Sequence, residues 1–206
     1  EVEYKAFADY EAMADKHEYI DAIKVSKGDK RSIAKALAVY SGFTEGLQLF
    51  SSFIILLNFP RFGKMKGMGQ IITYSIRDES LHVEAMTKLF REFIQENIDI
   101  WDDEFKAEIY QACREMVTLE DRFLELVFEE GDIEGLTQAE MQEYIRYIAD
   151  RRLLQLGLKP NYDIKNNPLN WLDDVLGVEH QNFFEGRATT YMKAGMRGDV
   201  NKVSFV

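Results

Sequence analysis

The chain has 206 residues, a formal charge of −11, a pI near 4.8, and 46% apolar and 13% aromatic residues. This is enough for one sizeable core, and the acidic balance excludes a general surface for nucleic acid or anionic membrane, which needs clustered Lys and Arg. One cysteine, Cys113, rules out an intrachain disulfide framework and suits a reducing, cytoplasmic compartment. No basic, then apolar leader opens the chain, and its longest apolar run, "FIILLNF", is far too short to cross a bilayer. The chain begins without Met, directly in an acidic amphipathic pattern, as a processed or truncated product would.

Apolar residues recur at helical spacing, prolines occur only at 60, 160 and 168, and no alternating strand-like run is present. The pattern predicts helices over about 2–24, 30–58 (stopping before Pro60), 64–96 and 101–130. The next starts at Thr137, with Glu140 as its capping-box partner, and ends near 156. A loop with at most one short helical turn follows, and a last helix spans about 179–195. The fold class is all-α, a helical bundle. Residues 1–196 read as a bundle domain and 197–206 as a tail.

The segment "QIITYSIRDESLHVEAMTKLF" sets charge and imidazole inside an otherwise core-like helix. Glu79 and His82, three residues apart, project from one helical face, the spacing two ligands of one metal need. Alone, such a pair is ordinary. Glu45 adds weight, because it lies in the most apolar helix, where an unpaired carboxylate is costly. The plainer alternative is that Glu45 pairs with Lys35 or Arg77, or marks a polar face. Gly42, Gly46, Ser51 and Ser52 would let another helix approach. Cys113 reads as a small buried residue, His17 and His180 as surface or capping groups, and Tyr40, Phe43, Phe50, Phe53 and Phe59 as core.

Ferritin-like dimetal proteins build their site from a Glu on each of two helices and a Glu-x-x-His pair on each of two others. Glu45 and Glu79-x-x-His82 make half of that set. Neither His17 nor His180 has a Glu three residues before it, so the chain cannot supply the other half.

These residues, in this order, resemble the small, radical-generating subunit of class I ribonucleotide reductase over essentially the whole chain. "TEGLQLFSSF", "RDESLH", "NPLNWLDDVLG" and "NFFEGRATTY" carry the resemblance. It implies a ferritin-like bundle whose N-terminal helices are missing from this chain. It implies Glu45, Glu79 and His82 as ligands of an Fe, Mn/Fe or Mn pair that reacts with oxygen or a reduced oxygen species to make the stored oxidant. Asp78 would accept a hydrogen bond from a ligand histidine and join Glu185 and Tyr191 in passing the radical onward. The tail, with Phe205 as its anchor, would dock on the large subunit, where ribonucleotides are reduced. Leu49 and Ser75 depart from the family's usual pocket. The missing half would be a separate chain or lost by truncation, and the isolated chain would be inactive. Two other readings remain: a metal-binding or oxidase module that completes its site by homodimerisation, and a metal-free structural fragment. Every reading includes a dimer.

Overall fold

The computed structural model of the chain describes residues 10–173. Compact units fall at Glu1–Asn170 and Trp171–Val206, and the helices below all belong to the first. The predicted helix over 179–195, Glu185, Tyr191 and the tail lie outside the described residues.

Among the described residues six α-helices follow in order: α1 Glu11–Asp21, α2 Lys30–Ala38, α3 Leu49–Arg61, α4 Lys66–Glu96, α5 Asp103–Val127 and α6 Gln138–Gln155. A ten-residue π-helical segment, Val39–Gln48, joins α2 to α3 without a break. The resulting rod, Lys30–Arg61, is central: α4, α5 and α6 all pack on it, and α1 lies along α5. The fully buried Val39, Phe43, Leu47 and Ile54 form its core side, meeting Phe105, Ile109 and Met116 of α5 and Met141, Ile145 and Leu153 of α6 in one core.

The helix starts follow the sequence. Asp29 accepts from Arg31 N at 3.1 Å, Asp102 accepts from Phe105 N at 2.8 Å, and Thr137 and Glu140 close the predicted capping box. The stop before Pro60 is corrected, because α3 runs through Pro60 to Arg61. A proline in the last turn removes only one ladder bond. Bonds from Asn58 Nδ2 to Glu134 O at 2.8 Å and from Arg61 Nη1 to Gly135 O at 3.0 Å hold that turn against the loop before α6.

The rod is also longer than "FIILLNF" suggests. By length and composition it is apolar enough to cross a bilayer, but 61% of its apolar window is buried inside the bundle. A helix apolar on most sides is what the centre of a bundle requires.

Candidate metal centre

The π segment and α4 together place the three predicted ligands. Val39, Phe43 and Leu47 are fully buried on the core side of the π segment, where Ser41, Gly42, Gly46 and Gln48 are buried as well. Each π turn takes up one residue more than an α turn. Glu45 is presented to α4, whose own register puts Glu79 and His82 on one face.

One donor atom from each of Glu45, Glu79 and His82 lies within 4.8 Å of the other two. His82 Nδ1 stands 3.4 Å from Glu79 Oε2. Glu45 is the inner member, with a buried Oε2 that has no hydrogen-bond partner, and His82 is the outer one, its side chain 63% exposed. Burial, then the neighbouring Glu79, raises the Glu45 carboxyl above its ordinary value, and His82 partly opposes them. Two crowded carboxylates, a partnerless buried oxygen and an imidazole are a donor set that a hard, borderline cation such as iron or manganese would satisfy. The residues fit a metal, although three donors leave its coordination open on the exposed side of α4. Ile71, Tyr74, Leu81 and Leu89 of α4 are exposed on that helix too.

Lys35 is not the partner of Glu45, since its Nζ pairs with Glu108 at 2.9 Å. Asp78 is exposed, and among the described residues no hydrogen bond joins it to a histidine. Cys113 is fully buried, and burial pushes its thiol up to about 12, which fits an inert core residue. His17 is exposed, while His180 lies outside the described residues. Of the aromatic set, Phe43 and Phe50 are buried, but Tyr40 is 36% exposed at the edge of the core.

The family model for the ribonucleotide reductase small chain matches residues 1–168. The chain belongs to the ribonucleotide reductase small chain family. It is 41% identical to the probable ribonucleoside-diphosphate reductase small subunit 048L of Invertebrate iridescent virus 3, over 97% of this chain and 57% of that one. It is 36% identical to the ribonucleoside-diphosphate reductase subunit beta of Chlamydia pneumoniae, over 78% of this chain and 46% of that one. Among solved structures, the ribonucleotide reductase R2 subunit from Clostridium botulinum superposes with a TM-score of 0.78 at 28% identity, covering 84% of this chain and 55% of that one. The bundle is therefore ferritin-like, and the chain spans about half the length of these relatives.

Three features of this small chain have no counterpart among the sequence expectations. The π segment is one, and no spacing in the sequence marks it. A buried ion pair is another: Lys16 of α1 meets Glu120 of α5, and Ser51 of α3 donates to the same carboxylate. Glu120 could have been found, because it continues the buried row of Cys113, Met116, Val117 and Leu124. The third is Arg152 of α6, whose Nε donates to Gly46 O at 2.8 Å. No spacing rule marks it.

Proposed function

We propose that this chain is the metal-carrying part of a ribonucleoside-diphosphate reductase small subunit that generates a radical and relays it for deoxyribonucleotide synthesis. The observation that carries the reading is the meeting of Glu45 with Glu79 and His82 from two helices, in a chain of this family. Glu45 supplies a desolvated carboxylate at the base of the site, and Glu79 and His82 close on it from α4. When bound, a dinuclear iron, manganese–iron or manganese centre supplies the oxidising power that the subunit stores as a radical. The remaining ligands come from chain beyond these three donors, consistent with relatives about twice as long.

In this reading Asp78 orients a ligand histidine, and Glu185 and Tyr191 pass the radical toward the large subunit. Residues 1–196 act as the bundle domain, while the tail, residues 197–206, docks on the large subunit through Phe205. The working form is a homodimer in the cytoplasm, with the other half of the ligand set supplied within a longer chain or by a separate one.

Reconstitution with the large subunit tests this. Deoxyribonucleotide formation is expected to be absent with the 206-residue chain alone and to appear when a polypeptide bearing the family's N-terminal helices is added. Tyr191→Phe should then leave metal loading intact and abolish turnover. Turnover by the isolated chain, or normal turnover by Tyr191→Phe, would overturn the respective assignment.

A further inference from the structure

Arg152 is a half-buried cation whose surroundings, among the described residues, provide no carboxylate to neutralise it. Burial depresses its guanidinium to about 10, with Arg151 adding repulsion and only Tyr144 opposing the shift. A desolvated charge kept without an ion partner is costly, so the groups it does touch are informative. Nε donates to Gly46 O at 2.8 Å, Nη1 donates to Gln155 Oε1 at 2.9 Å, and the guanidinium carbon lies 5.1 Å from the centre of the Phe50 ring. Gly46 directly follows Glu45 in the π segment.

The seat is shaped for this contact. A Cβ at position 46 would fall 2.6 Å from Arg152 Nε and 2.9 Å from Ser41 O, so only glycine lets the guanidinium reach the carbonyl. Gly42, four residues earlier on the same row, takes Leu156 Cδ1 at 3.3 Å from where its Cβ would be. In an i→i+5 ladder the carbonyls are spread wider than in an α-helix, and a donor from outside holds one of them in place.

We infer that Arg152 is a positioning residue: by holding the Gly46 carbonyl it fixes the wide turn that aims Glu45 at Glu79 and His82. The inference rests on the metal-site reading above, and it predicts that Arg152 controls both the affinity and the geometry of the bound ion without touching it.

The test is Co(II) titration of the 206-residue chain, followed by its visible absorption bands, with helicity and thermal unfolding measured on the same samples. Arg152→Met is expected to bind Co(II) about tenfold more weakly, the usual cost of losing a group that orients a ligand, and to shift the bands. Arg146→Met is the control. It breaks the two bonds from Arg146 to Asp121, at 3.0 and 2.6 Å, that join α6 to α5, and so should lower thermal stability yet leave affinity and spectrum as in the wild type. Where Arg152→Met does not fold, Arg152→Lys carries the test, because an ammonium lacks the planar Nε–H and the fork to Gln155. Wild-type affinity and bands in a folded Arg152 variant overturn the inference alone. No Co(II) binding by the wild-type chain overturns the metal-site reading and the inference with it.

Discussion

Lys16 and Glu120 show how a charge is kept in this core. Glu120 is fully buried and Lys16 nearly so, and desolvation pushes the carboxyl up and the ammonium down, each against the attraction of the other. Ser51 donates to the carboxylate, and the Lys16 ammonium lies 4.0 Å from the centre of the Phe123 ring. The pair ties α1 to α5 and α3, but it is strong only while complete. Glu120→Ala strands a buried ammonium and is expected to cost about 3–5 kcal/mol in urea unfolding, whereas Lys16→Met with Glu120→Leu together should be near neutral, within about 1 kcal/mol. A loss below about 1 kcal/mol for Glu120→Ala would show that water reaches the pair. Of the two, only Glu120 was legible. Its place in a helical row of buried residues marks it, while Lys16 lies in a short amphipathic helix where a lysine reads as solvent-facing.

At the scale of elements, the metal centre depends on how α3 and α4 leave their shared turn, because Glu45 lies just upstream of α3 and Glu79 in the middle of α4. The closest approach there is Gly69 against Pro60. A Cβ at position 69 would lie 2.3 Å from Pro60 Cγ, and a proline ring cannot turn aside. Gly69→Ala gains about 1 kcal/mol of helix propensity, but forcing the two helices apart costs about 1–3 kcal/mol. The expected net result is a lower midpoint in thermal unfolding together with weaker metal binding, since the crossing and the site move together. A variant as stable as the wild type would show that the crossing is loose. The limits of α6 were legible because its capping box and periodicity agree on them, and those of α4 and α5 could be read from periodicity to within about one turn. The end of α3 was not: bonds to Glu134 and Gly135, more than seventy residues away in sequence, carry the helix past its proline. The π segment was not legible, because its buried residues recur at the same spacings of three and four that an α-helix shows.

For the whole molecule, the all-α class and its five main helical segments could be read from spacing alone, and so could the nearness of Glu79 to His82. That Glu45 joins them needed the long-range packing of the rod on α4, which the resemblance implied and the backbone geometry now supplies. The three donors form a candidate metal-binding group, half-buried at Glu45 and exposed at His82, in a chain about half as long as its relatives. The most direct measurement is equilibrium binding of Mn(II) to the purified chain, with oligomeric state determined on the same sample and Glu79→Ala alongside. Saturable binding of about one ion per chain, lost in Glu79→Ala with helicity unchanged, is the expected result. No saturable binding by the folded wild-type chain, or equal binding by Glu79→Ala, would contradict the assignment of Glu45, Glu79 and His82 as a metal centre.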